Sequence, residues 1–177
     1  MMSQNKRNKK MTITLIGMPA SGKSCMARYL SKKLLMKTVD GDKLIEKVYG
    51  RALQDIIDKD GLDEFKRIEE EVLLSIDEDN LIISPGGSAI YYPSVMEKFK
   101  KMGIIVYLYA SPKEIIHRLG DFSKRGVVLA PGQTIYDLYN ERAPLLEKYA
   151  DLTINCDGSA FPKYQADAYA KISKLLK

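Results

Sequence analysis

Gly17-Met18-Pro19-Ala20-Ser21-Gly22-Lys23-Ser24 sets two glycines, a lysine and a serine at G-x-x-x-x-G-K-S spacing. Those residue types can hold a polyphosphate. Glycines let successive backbone N–H groups turn inward, lysine neutralises the terminal phosphates, and serine offers a hydroxyl to a divalent cation. Lys23 is expected on the β- and γ-phosphates and Ser24 on Mg²⁺, with Gly17, Ala20, Ser21, Gly22 and Cys25 lining the phosphate chain. A Gly-rich turn could match this pattern by chance, but the flanks argue otherwise. Met11 to Ile16 is apolar and β-branched, as a buried strand should be, and Met26, Leu30, Leu34 and Leu35 recur at helical spacing from Cys25 to Met36. The sequence predicts a nucleoside triphosphate site.

Further chemistry lies after the other apolar runs. Asp40-Gly41-Asp42 follows a short strand candidate at 37–39. Phosphoryl transfer requires a metal ion, an aligned acceptor hydroxyl and cations that neutralise charge in flight. One aspartate can hold a metal-bound water while the other accepts the hydrogen bond of the acceptor hydroxyl; aspartate is also a common turn residue.

The elements that must position these groups alternate along the chain. Strand candidates at 11–16, 37–39, 80–83, 104–109 and 151–154 are separated by helical patterns. One helix uses Leu62, Phe65, Ile68, Val72, Leu73 and Ile76 as its core stripe, with Glu69, Glu70 and Glu71 expected mostly outward. Another starts at Ser111-Pro112, an N-cap followed by proline at the first helical position. Such alternation predicts a parallel sheet of about five strands with helices on both faces, and ligands beyond the carboxyl ends of the strands. The stretch from Gly120 to Gly132, with Lys124 and Arg125, fits neither element and reads as a mobile lid.

Composition narrows the partners. The chain has 28 Lys and Arg against 23 Asp and Glu, but Lys6, Arg7, Lys9 and Lys10 fall in residues 1–10, which hold no acid. The basic excess thus belongs mainly to the first ten residues, which read as a flexible leader. A solubilising tail is the favoured reading of it, and a nucleic-acid arm the alternative. No apolar run approaches the length of a membrane span. Cys25 and Cys156 lack metal-ligand spacing and suit a reducing cytoplasm, and the single histidine, His117, excludes a two-histidine mechanism.

Taken in order, Gly17–Ser24, Asp40-Gly41-Asp42, Phe65-Lys66-Arg67-Ile68-Glu69, Gly86-Gly87-Ser88, Arg125-Gly126-Val127 and Glu141-Arg142-Ala143-Pro144-Leu145-Leu146 resemble the motifs of the shikimate kinase family over about residues 11–155. The resemblance implies an α/β fold: a three-layer α/β/α P-loop kinase with a five-stranded parallel sheet and a mobile lid at about 120–132, in a domain of residues 11–177. It also implies ATP and Mg²⁺, a small hydroxylated acceptor with shikimate foremost, and a cytoplasmic monomer. By resemblance Asp40 is the metal-side aspartate, and Asp42 holds and activates the acceptor hydroxyl. Lys66, Gly86, Gly87, Ser88 and Arg142 bind the acceptor, Arg125 enters with the lid beside the phosphoryl group, and Arg118 lies against adenine. The alternative for Arg142 is a surface ion pair, and for Arg125 a solvated loop cation.

Departures fall mostly on the acceptor side. Lys66 stands where the family has arginine, losing the planar fork that grips a carboxylate. Ser88 replaces a third glycine, Pro85 a usual threonine and Leu146 a tyrosine; no proline follows Arg125, and an arginine expected near the adenine after Ile154 is missing. A shikimate site, a site for another small alcohol, sugar acid or nucleoside-like acceptor, and a nucleotide-binding regulatory protein with little catalysis remain the competing readings. Removal of residues 1–10 is expected to leave kinase turnover unchanged in a coupled assay; a large loss would overturn the reading of the leader as a tail.

Overall fold

Alternation along the strands decides which side chains meet which helices. In the computed structural model, which describes residues 11–120, 129–130, 132–158 and 161–176, the strands are β1 (Thr12–Ile16), β2 (Lys37–Asp40), β3 (Leu81–Ser84), β4 (Gly103–Tyr109) and β5 (Leu152–Asn155). They form one parallel sheet in the order β2-β3-β1-β4-β5. Ile13 lies opposite Ile82 of β3 on one side and Ile104 of β4 on the other. All five expected strands are present, and their carboxyl ends share one edge.

The helices are α1 (Lys23–Leu34), α2 (Gly41–Tyr49), α3 (Leu53–Asp60), α4 (Leu62–Leu74), α5 (Pro93–Met102), α6 (Pro112–Leu119), α7 (Ile135–Tyr149) and α8 (Phe161–Leu175). Because successive strand residues point to opposite faces, Ile13, Leu15, Ile82, Val106 and Leu108 pack with Met26 and Leu30 of α1 and with Ala168 and Ile172 of α8. Ile16, Leu81, Ile83, Ile105 and Tyr107 face the other way, toward α5, α6 and α7. A smaller cluster of Ile45, Ile56, Ile68 and Val72 joins α2, α3 and α4. The result is a helix–sheet–helix sandwich.

Local chemistry ends the elements where the site needs loops. Ser111 caps α6 by accepting from the Glu114 N–H at 3.3 Å, as its Ser-Pro start predicts. Thr134 and Asp137 form a reciprocal capping box at the start of α7. Three expectations need correction. Leu62 begins α4 but is 44 % exposed, so it is not part of the core stripe. α1 stops at Leu34, and Leu35 takes a left-handed cap conformation with 89 % of its surface exposed, so it is not part of the apolar face. Glu69 is not outward: it sits one turn beyond Phe65, between Ile68 and Val72, and is 1 % exposed.

The basic leader, Lys124, Arg125 and most of the lid segment lie outside the described residues. Among the described residues no helix is long and apolar enough to cross a membrane. Phe99 of α5 is fully buried in the larger cluster. Phe99→Ala is expected to cost about 3–5 kcal/mol of unfolding free energy, measured by urea denaturation.

Candidate active site

The loop after β1 turns against the neighbouring strand. A Cβ at Gly17 would fall 2.7 Å from Ser21 Oγ and 2.9 Å from the Leu108 carbonyl, so only glycine permits the approach. Ala20 adopts a left-handed φ of 59°, a strain of about 1 kcal/mol held in place by the loop. Gly22, also left-handed, precedes α1 with no capping side chain, and no acid occupies the first turn. The first N–H groups of α1 are therefore offered to an anion rather than to the protein's own side chains.

Lys23 Nζ donates to the carbonyls of Gly17 at 2.9 Å and Met18 at 3.0 Å, which lays the ammonium along the loop. Burial pushes its pKa down to about 8; Asp42 and Asp40 pull it up, and Arg142 pushes it further down. A polyphosphate would supply the negative charge that such a lysine lacks.

Across the cleft, Asp40 ends β2 and caps α2, its Oδ1 accepting from the Lys43 N–H at 3.2 Å. Ser24 and Asp40 line one cavity of about 550 Å³. Among the described residues no three carboxylates, thiols or imidazoles gather closely enough to cage a metal. Mg²⁺ needs no such cage, because it keeps waters and takes further ligands from phosphates. A hydroxyl and a carboxylate facing one cavity are the hard oxygen donors that fit it. Asp42, in the first turn of α2, exposes much of its surface, yet its carboxyl end points inward toward Gly86. Burial of that end raises its pKa, Asp40 adds to the rise, and Lys23 opposes it.

Beyond β3, the Gly86-Gly87-Ser88 turn is wedged among charges. A Cβ at Gly86 would lie 2.8 Å from Glu69 Oε1 and 2.9 Å from Asp42 Oδ1, and one at Gly87 would lie 2.7 Å from Arg142 Nη1. The one hydroxyl proton of Ser88 is shared between the two Glu69 carboxylate oxygens, each 2.7 Å from Oγ, and the Tyr92 hydroxyl donates to Oε2 at 2.8 Å. Burial nevertheless drives the Glu69 pKa up, against the pull of those two hydroxyls and with Asp42 adding to it. Arg142 of α7 donates from Nε to the Tyr91 hydroxyl at 3.1 Å, with its guanidinium 5.4 Å from the centre of that ring.

On the far side of the loop, Arg118 pairs with Glu114 at 2.7 Å, lies 5.8 Å from the Tyr164 ring centre, and donates to the carbonyls of Ser21, at 3.4 Å, and Cys156. The arginine thereby ties the phosphate loop to the end of β5.

The shikimate kinase family model matches residues 19–174. The chain belongs to the shikimate kinase family. It is 32 % identical to the shikimate kinase of Paracidovorax citrulli, with 84 % of each chain covered. It is 35 % identical to that of Thermodesulfovibrio yellowstonii, over 82 % of this chain and 86 % of that one. Among solved structures, shikimate kinase from Acinetobacter baumannii in complex with shikimate superposes with a TM-score of 0.83 at 29 % identity, covering 97 % and 99 % of the two chains. Shikimate kinase from Aquifex aeolicus gives 0.75 at 25 % identity, over 93 % and 97 %.

Within this shikimate kinase family member, the loop, Asp40, Asp42, Gly86, Gly87, Ser88 and Arg142 converge on one cleft edge. Lys66 does not join them: its Nζ lies 3.6 Å from Asp63 Oδ1 on the half-exposed side of α4, while Arg67 pairs with Glu64 and Glu71. Arg142 forms no ion pair among the described residues; its partners there are the Tyr91 hydroxyl and ring. Buried Glu69 and the Tyr91-Tyr92 pair escaped the sequence reading as site residues. The available signals were a glutamate on an apolar stripe and two consecutive tyrosines after a glycine turn.

The raised Glu69 pKa has a consequence for stability. The folded state holds this proton more tightly than the unfolded chain, so ionisation penalises folding above the folded pKa. That penalty fades as pH falls toward the ordinary value of 4.5. Glu69→Gln is therefore expected to melt higher than the parent at pH 7, with the difference shrinking by pH 4.5, as followed by thermal denaturation.

Proposed function

We propose that the chain transfers the γ-phosphoryl group of ATP to the 3-hydroxyl of shikimate, as a cytoplasmic monomer. The observation that carries the reading is the meeting of Asp42, the Gly86-Gly87 turn and Arg142 on the acceptor side of an intact phosphate loop. The unpaired thiols of Cys25 and Cys156 suit the reducing compartment.

In this reading the N–H groups of the loop and of α1 bind the phosphates, and Lys23 spans the β- and γ-oxygens. Ser24 and Asp40 would hold Mg²⁺, directly or through water, and the ion when bound neutralises charge on those oxygens. Asp42 orients the acceptor hydroxyl and takes its proton as the oxygen becomes a nucleophile; its raised pKa makes it a better base than an ordinary aspartate. Arg142 grips the acceptor carboxylate, and Gly86 and Gly87 bring their backbone N–H groups close because they carry no Cβ. Arg125, outside the described residues, is assigned to the transferring phosphoryl group by motif position, and Arg118 to the adenine.

A second acceptor has one observation in its favour. Lys66, in the position of the family's carboxylate-clamping arginine, is turned to Asp63. A kinase for another small hydroxy acid or polyol would tolerate that arrangement.

A coupled ADP-release assay separates the readings. Shikimate is expected to support turnover, and Asp42→Asn to lower it by about 10²- to 10⁴-fold with ATP affinity retained. Absence of turnover at millimolar shikimate, with activity on another hydroxylated acceptor, would sink the substrate assignment and keep the kinase. Lys66→Arg is expected to lower the acceptor KM if a carboxylate occupies the site.

A further inference from the structure

The motif cations of the acceptor side are unequal. Lys66 and Arg67 are turned to carboxylates of their own helix, so Arg142 alone of the three reaches the glycine turn. A lone arginine on a helix is a poor clamp, because several rotatable bonds must be frozen when the ligand binds. In this chain that freezing is already done by one side chain.

Tyr91 closes the 3₁₀ turn Ala89–Tyr91 that directly follows Gly86-Gly87-Ser88. Its ring lies beside the guanidinium, and its hydroxyl accepts the Arg142 Nε–H at 3.1 Å. The hydroxyl in turn donates its proton to Glu141 Oε1, which leaves its lone pairs for the arginine. Glu141 is steadied by Gln133, whose Nε2 donates to Oε2 at 3.1 Å, and Gln133 Oε1 accepts the Ala130 N–H at 3.1 Å. With Nε occupied, the edge of the guanidinium left for a ligand is the Nη1–Nη2 end. Nη1 of that end is the atom packed over Gly87. Two parallel N–H donors on that edge match the two oxygens of a carboxylate.

We propose that Tyr91 is a positioning residue that presets Arg142 to receive the acceptor carboxylate end-on, compensating for the carboxylate fork lost at Lys66. The substrate part of this inference rests on the shikimate reading. The positioning part does not, because it concerns contacts within the protein.

Two measurements test it. The first is the exchange rate of the Arg142 Nε–H proton by NMR, its signal assigned by its loss in Arg142→Lys. Tyr91→Phe keeps the ring and removes the acceptor oxygen, and is expected to speed that exchange about tenfold. An unchanged rate overturns the proposal. The second is steady-state kinetics with shikimate. Tyr91→Phe is expected to raise the shikimate KM about tenfold, with kcat and the ATP KM within about twofold, and Tyr91→Ala to raise it further. In an Arg142→Lys background Tyr91→Phe should add nothing. A fall in kcat together with an equal change in the ATP KM would mark Tyr91 as a general structural residue and overturn the proposal. Failure of the parent enzyme to turn over shikimate would instead sink the substrate assignment, and the Nε–H exchange would still decide the role of Tyr91.

Discussion

A carboxylate with almost no contact with water organises the acceptor half of this molecule. Glu69 sits under the turn that follows β3, and ionised carboxylates are costly to bury without donors. Ser88 and Tyr92 supply those donors, one from each side of the 3₁₀ turn, so the turn and α4 are tied together by two hydroxyls that donate to one carboxylate. The absence of a side chain at Gly86 follows from the same arrangement. A methyl group there would displace the Glu69 carboxylate on one side and the Asp42 carboxylate on the other. Asp42, the glycine turn and the buried glutamate are thus one packed unit rather than three separate features.

The donor half is built differently. Its anion site is made of backbone, and the sequence encodes it by what is missing: a Cβ at Gly17 and Gly22, and a capping side chain at the start of α1. Few side chains can be exchanged there without loss of the loop's shape. The acceptor half is made of side chains that touch one another, and such contacts can be re-formed by other residues. Serine for glycine at position 88 adds a hydroxyl that Glu69 uses. Lysine for arginine at position 66 removes a fork, and the tyrosine at position 91 steadies the arginine that remains.

Local signals made the sheet and the donor site legible in advance. Apolar runs marked each strand, and the loop's spacing together with its flanks specified the phosphate cradle. The places of Asp40, Asp42, Arg142 and the glycine turn followed because all lie just after strands or on a motif helix. Glu69 was misplaced because a charged residue within an apolar stripe reads as surface until its partners are known, and Ser88 and Tyr92 lie on another element. Tyr91 was invisible for a related reason: its role depends on the orientation of a side chain from α7, which no local pattern encodes. Leu35 shows the opposite error, an apolar residue assigned to the core but displaced by the left-handed cap that ends α1.

The strand order carries a consequence for the life of the chain before it is an enzyme. β3 inserts between β1 and β2, so residues 11–40 leave a gap that only later sequence can fill, and Ile13 waits for both Ile82 and Ile104. Every pairing in the sheet joins distant parts of the sequence, and such closures are slow to form. During synthesis the phosphate loop leaves the ribosome before the turn opposite it, and Arg142 follows later still. The nascent chain therefore carries the β1 apolar edges unsatisfied until β3 and then β4 have followed, and the acceptor side is complete only once α7 has been added.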